Sequence, residues 1–156
     1  MNGLVIERAE KEDLDTLYEI ERECFPKNAF PKSFLKYLII QQNSVFLKAK
    51  IYREIVGFIV GIIQAPQSTG RIYSLDIKPE FRGKGVATRL LQALETEFKV
   101  KGVTFSILEV DAKNTAALKL YQKFGYKPKK LIKNYYGKNR DAIKMTKKIV
   151  YNPKKR

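Results

Sequence analysis

The chain contains no histidine, no tryptophan and a single cysteine, Cys24, in 156 residues. Each absence closes a route. Without histidine there is no Ser-His or Cys-His nucleophile, and the commonest metal ligand is missing. One cysteine excludes an internal disulfide and any zinc site built from several thiolates, so no metal is expected. A general base must then be a carboxylate, a lysine, a tyrosine or an ordered water. Long apolar runs are also missing. The longest, from Ile55 to Ile63, has the length of a strand and not of a membrane span. Met1-Asn2-Gly3-Leu4 has neither a basic n-region nor an apolar h-region, so a cytoplasmic protein without membrane partners is expected.

Acidic residues are few, 16 against 31 Lys and Arg, for a formal net charge of +15. That balance favours anionic partners: nucleic acid, a ribosome surface, or the phosphates of a cofactor. Hydrophobic residues make up 44% of the chain, which is a globular composition. The length suits one domain, expected over residues 1–150, followed by a basic tail at 151–156. Oligomeric state is not legible in the sequence.

What is present centres on residues 71–92. A β-branched and aromatic run from Ile72 to Ile77 reads as a strand, ended by Pro79, which cannot donate to a ladder. From Val86 to Val100 the residues Ala87, Leu90, Leu91, Leu94 and Phe98 form one helical stripe. Between them stands Arg82-Gly83-Lys84-Gly85-Val86-Ala87. Two glycines permit backbone conformations closed to other residues and let a ligand approach. The helix that follows presents unpaired N–H groups and the positive end of its dipole. An anion site, most naturally for phosphate, is one reading. A plain glycine-rich turn with solvated basic residues is the other.

The remaining pattern places strands from Leu4 to Arg8, Val45 to Tyr52, Ile55 to Ile63, Val103 to Val110, Tyr126 to Ile132 and Ala142 to Val150. Helices are expected from Lys11 to Cys24, Lys32 to Gln41 and Thr115 to Phe124. Gly57 and Gly61 inside a strand predict a bulge or a close backbone neighbour. The order βααβββαβαββ implies an α/β fold with one parallel crossover and antiparallel pairs elsewhere, a mixed and mostly antiparallel seven-stranded sheet with helices on both faces. Cys24, on a helix stripe, reads as a small core residue rather than a reactive thiol.

The segment Arg82-x-x-Gly85-x-Ala87 at a strand-to-helix junction resembles the pyrophosphate-binding motif of the GNAT superfamily of N-acetyltransferases. A second stretch, Leu108-Glu109-Val110 through Asn114, Ala117, Leu120-Tyr121 and Gly125-Tyr126, is similar to the same family's pattern at the expected separation. The element order is that of the family as well. The resemblance implies acetyl-CoA as cosubstrate. Arg82, Gly83, Lys84, Gly85, Val86 and Ala87 would cradle its pyrophosphate. The backbone of Leu75, Asp76 and Ile77 would meet the pantetheine arm and acetyl carbonyl, and Asn114 and Tyr121 would lie beside them. Asn114 equally suits an N-cap of the next helix, and Tyr121 equally suits the core. Tyr121 is the implied proton donor to the leaving thiolate. Glu109 is the candidate base, acting directly or through water.

A third signal, Tyr135-Tyr136 followed by Asp141-Ala142-Ile143-Lys144-Met145, resembles protein N-terminal (Nα) acetyltransferases. The tyrosines would hold the acceptor's first residues, with Phe25, Pro26 and Phe30 as the opposing wall. The expected reaction is direct attack of a protein's α-amine on acetyl-CoA in a ternary complex. Lysine side chains, polyamines or other small amines are the alternative acceptors. A basic nucleic-acid- or ribosome-binding domain without catalysis is the non-enzymatic alternative. Asp111, where many such relatives carry arginine, leaves the first-residue preference open.

Overall fold

A computed structural model describes residues 3–65 and 68–149. Val150, the expected end of the last strand, and the basic tail lie outside the described residues, as do Pro66 and Gln67. The chain runs β1 (Leu4–Arg8), α1 (Leu14–Cys24), α2 (Lys32–Ile40), β2 (Ser44–Ile51), β3 (Glu54–Gln64), β4 (Thr69–Ile77), α3 (Val86–Val100), β5 (Phe105–Asp111), α4 (Thr115–Lys123), β6 (Lys127–Ile132) and β7 (Ala142–Lys148). One seven-stranded sheet has the order β1-β2-β3-β4-β5-β7-β6. Among the described residues the β4–β5 pair is the one parallel pairing of neighbouring strands, with α3 carrying the chain back between them. The α/β class and the element order expected from the pattern are therefore found.

Alternation along β2 and β3 divides the apolar residues between two cores. Val45, Leu47, Ala49, Val56 and Ile59 pack with Leu90, Leu91, Leu94 and Phe98 of α3. Phe46, Phe58, Val60 and Ile62 face Leu17 and Ile20 of α1 and Leu35 and Leu38 of α2. The central strands thus have helices on both faces.

The bulge expected near the β3 glycines lies between Val60 and Gly61, where the register to β4 slips. Gly57 is a close backbone neighbour: a Cβ there would lie 2.6 Å from the Asp76 carbonyl oxygen. A Cβ at Gly70 would collide with the Phe98 ring at 2.4 Å, so α3 sits against bare backbone.

Boundaries differ where capping decides them. The helix expected from Lys11 opens as a 3-10 turn, Lys11–Asp13, and becomes α-helical at Leu14. The Glu10 N–H donates to the Asp13 carboxylate at 2.8 Å, part of a capping box that opens this first turn. β5 starts at Phe105, two residues later than expected. Gly102, at φ +85, closes α3, and the Val103 N–H is spent on the Phe98 carbonyl at 2.9 Å. β4 starts at Thr69, three residues earlier than expected. The outer strand β6 is an edge that carries Lys127, Pro128, Lys129 and Lys130 exposed, which discourages pairing with another chain.

Candidate active site

The site follows from one interruption in the sheet. β4 pairs with β5 only over Thr69, Gly70 and Arg71, while it continues along β3 as far as Ile77. Beyond Arg71, β5 pairs on its other side with β7. The two parallel strands splay there, and the β5-facing edge of β4 from Tyr73 onward is left without a strand partner. An unpaired strand edge is a template for an extended ligand.

On one side of β4 lies a cleft of about 380 Å³. Its floor is Leu75 and Ile77 of β4, and its end is Arg82, Gly83, Gly85 and Val86 at the start of α3. Ala117, Leu120 and Tyr121 of α4 close it. Gly83 and Gly85 have φ +74 and +84, and a Cβ built on either meets nothing within 4 Å. They are glycines for conformation and not for lack of room, and the loop stands open to a ligand. The first N–H groups of α3 point into this space with the positive end of its dipole, which suits a phosphate. The Arg82 side chain does not reach outward. Its Nε donates to the Ile77 carbonyl at 3.0 Å, and a guanidinium N–H donates to Cys24 Sγ at 3.4 Å. Lys84 and Asn114 are exposed beside the cleft. Asn114 caps α4, its side chain accepting from the Ala117 N–H at 3.1 Å.

Tyr121 is buried beneath the cleft, with its ring edge-on to Tyr126 at 5.6 Å. Burial, then the nearby Asp76 carboxyl, pushes its phenol well up. It stays a neutral donor. The Cys24 thiol is pushed up to about 11, first by burial and then by Asp76, despite the Arg82 contact. It is no thiolate at neutral pH. Its place is also not a closed core: Cys24 is half-buried and lines the cleft.

On the other side of β4 lies a second hollow of about 430 Å³. It brings together five residues that the sequence assigned to acceptor binding and catalysis: Phe25, Phe30, Glu109, Tyr135 and Tyr136. Pro26 is not among them; it is exposed and borders a separate surface depression with Tyr18 and Lys27. The Tyr135 and Tyr136 rings meet edge-on at 4.9 Å, and the Tyr136 hydroxyl donates to the Glu109 carbonyl at 3.3 Å. Burial raises both phenols.

Several participants escaped the sequence reading. Arg71 grips both Glu109 carboxylate oxygens, at 2.5 and 2.6 Å. This bond to Glu109 raises the guanidinium pKa further. The pair exists because β4 and β5 are in register at Arg71↔Ile107, which no single-strand pattern reveals. Arg140 ties the β6–β7 loop across to the α1–α2 loop: it donates to Asn28 Oδ1 at 3.2 Å and lies 3.8 Å from Asp111. Asp111 therefore has a partner from within the chain. Glu21 is 1% exposed on α1 and also lines the hollow. Here a signal was available. Leu14, Leu17, Glu21 and Cys24 lie on one stripe of α1, so an acid sits where an apolar residue belongs.

Among the described residues no group of three or more acids and cysteines is placed to hold a metal ion. Nor is any helix among them long and apolar enough to cross a membrane.

Residues 14–126 match the acetyltransferase (GNAT) family. The chain is 36% identical over 134 residues to an uncharacterized N-acetyltransferase of Methanocaldococcus jannaschii, covering 85% of this chain and 84% of the other. It is 30% identical over 142 residues to an N-alpha-acetyltransferase of Sulfurisphaera tokodaii, covering 84% of each. Its backbone is also similar to that of the ribosomal-protein-S18-alanine N-acetyltransferase of Escherichia coli, with a TM-score of 0.86, 98% of each chain covered and 22% identity.

Proposed function

The chain belongs to the acetyltransferase (GNAT) family, acetyl-CoA-dependent N-acetyltransferases, and we propose that its acceptor is the N-terminal α-amine of proteins. The observation that carries this reading is the second hollow. It sets the Tyr135–Tyr136 pair and Glu109 on the far side of β4 from the cofactor cleft. Two rigid aromatic faces with hydroxyls suit a short stretch of peptide backbone. The relative from Sulfurisphaera tokodaii bears the corresponding name.

The residues present fit acetyl-CoA. The open glycine loop at the start of α3 would hold its pyrophosphate, and the free edge of β4 at Leu75, Asp76 and Ile77 would hold the pantetheine arm. When bound, it supplies an acetyl thioester to be attacked. The chain's own residues do the rest. Glu109, oriented by Arg71, takes the proton from the ammonium directly or through water. Each carboxylate oxygen keeps a lone pair beyond the one given to Arg71. An α-amine has a reference pKa near 8, so this proton is lost without difficulty near neutrality. Tyr121 gives its proton to the departing thiolate, and the second proton that the nitrogen sheds as the amide forms replaces it. A neutral Cys24 thiol with a raised pKa favours direct attack over a relay through an acetyl-cysteine.

The exposed lysines of β6 support a further part of the reading, docking at a ribosome where nascent N-termini emerge. Binding would fall steeply with salt and weaken when Lys127, Lys129 and Lys130 become glutamine.

The deciding experiment is acetyl transfer from labelled acetyl-CoA to peptides with free or blocked N-termini, with and without internal lysine, beside spermidine. Labelling that requires the free α-amine supports the proposal. Labelling that follows lysine or spermidine overturns it.

A further inference from the structure

Between the two hollows lies a buried acidic group that the mechanism above does not use. Glu21 of α1 and Asp76 of β4 are each 1% exposed. The Ser74 hydroxyl stands between them, 2.5 Å from Asp76 Oδ1 and 3.1 Å from Glu21 Oε1. Glu21 Oε2 accepts from the Phe30 N–H at 3.0 Å. That bond joins α1 to the loop at residues 25–31, which forms one wall of the acceptor hollow.

The proton count does not close with two carboxylates. Ser74 has one hydroxyl proton and two carboxyl contacts. Asp76 Oδ2 finds no donor among the described N–H and O–H groups, and the group it faces is the Glu21 carboxyl. Two ionised carboxylates in one buried site repel, and burial penalises each. One added proton, on Asp76 Oδ2, gives the Asp76–Glu21 contact a donor, while the single Ser74 hydroxyl proton is shared between its two carboxyl contacts. The Asp76 carboxyl is pushed well up, first by burial and then by Glu21. Glu21 then accepts from Phe30 and Asp76, with the Ser74 hydroxyl beside it.

We propose that Glu21 and Asp76 share a single proton through this network and so clamp the 25–31 wall of the acceptor hollow onto β4, which makes them positioning residues for the acceptor amine. The clamp spans both halves of the site: Phe30 touches the acceptor, and Asp76 belongs to the strand edge that meets the cofactor. The groups facing the pair are Cys24 from α1, Arg82 from the loop after β4 and Tyr121 from α4. β3 presents Phe58 opposite Asp76 and adds no charge. Arg82 is the one cation in this set and opposes the proton. As pH rises and the shared proton leaves, Glu21 and Asp76 repel and the Phe30 bond loosens. The acceptor wall then loses its fixed place while the glycine loop at α3 keeps its own.

The hollow's role as acceptor site rests on the function proposed above, so the test reads the clamp without an acceptor. Amide hydrogen exchange at Phe30, corrected for intrinsic base catalysis, is followed in the intact protein as pH rises from the ordinary carboxylate range upward. Protection should fall about tenfold or more across that range, the loss of roughly one charged hydrogen bond. In Asp76→Asn the amide still donates to Glu21 but cannot ionise, and protection should stay within about twofold. A second variant, Glu21→Gln, should raise the peptide KM about tenfold at neutral pH and leave the acetyl-CoA KM in place, because it removes one charge-assisted bond from the acceptor wall.

A flat exchange profile in the parent protein overturns the clamp, as does an equal fall in the parent and Asp76→Asn. Parallel movement of both KM values in Glu21→Gln says that the pair only supports the fold and also overturns it. Failure to acetylate any α-amine would overturn the acceptor assignment and leave the exchange result standing.

Discussion

The two sides of β4 offer different means of recognition. The side proposed for the cofactor is mostly backbone: two glycines at positive φ, the first turn of a helix and a strand edge without a partner. The side proposed for the acceptor is side chains, with Glu109 gripped by Arg71, a tyrosine pair, and Glu21 behind them. Backbone recognition suits a ligand that every member of a family shares, since it depends on chain geometry and tolerates changes in side chains. Side-chain recognition suits an acceptor that varies. On the proposed assignment, the comparison separates cofactor binding from selection of the amine.

The largest expected effect lies on the acceptor side. Glu109→Gln should lower kcat about a hundredfold or more, the usual range for a general base. The loss should be greatest at low pH, where fewer amines are already neutral, and the acetyl-CoA affinity should not change. Steady-state rates across pH would show this, and a small uniform effect would reduce Glu109 to a residue that places water. Tyr121→Phe comes next, with kcat down about thirtyfold and acetyl-CoA affinity within about twofold of the parent. Near-normal turnover would remove Tyr121 as the acid. Arg71→Gln should cost about tenfold in kcat by freeing the Glu109 carboxylate to rotate away, with little change in acetyl-CoA affinity by calorimetry.

The cofactor side should answer more softly and in the other parameter. Gly85 sits at φ +84, where a Cβ costs on the order of 1 kcal/mol. Gly85→Ala should weaken acetyl-CoA binding about fivefold and leave the peptide KM alone. A change in peptide KM of similar size would break the division between the two sides.

The smallest effect concerns stability. The Asp76 carboxyl is raised in the folded protein. The native state keeps a proton there after the unfolded chain has released it, so the contribution is complete below the ordinary carboxylate value. It is lost as pH rises from that value through the raised one. Asp76→Asn should flatten the pH dependence of Tm over that window. The difference should be a few degrees, at about 2–4 °C per kcal/mol for a chain of this size.

Much of this was legible in the chain itself. The 3.6-residue stripes of α3 and α4, the alternation in β2 and β3 and the glycines at 83, 85 and 125 are local signals. They placed the elements within a few residues and placed the glycine loop at a helix start. Phe25, Phe30, Glu109, Tyr135 and Tyr136 were singled out as separate points along 112 positions, and the fold gathers them around one hollow. Arg71 carries no local signal, because its importance lies in register: it faces Glu109 only since β4 and β5 run parallel with Arg71 opposite Ile107. Nothing local says that the Asp76 carboxyl meets Glu21, 55 positions away.

By itself, then, the sequence determined the elements, the glycine loop and the family chemistry, because periodicity, capping and turn conformation are decided within a few residues of chain. Only the tertiary structure decided which charges would meet. The β4–β5 splay, the Arg71–Glu109 grip and the Glu21–Ser74–Asp76 contact all depend on strand register and helix placement. Those are settled by packing between segments far apart in the chain, where burial turns a scattered set of ordinary acids and bases into a site.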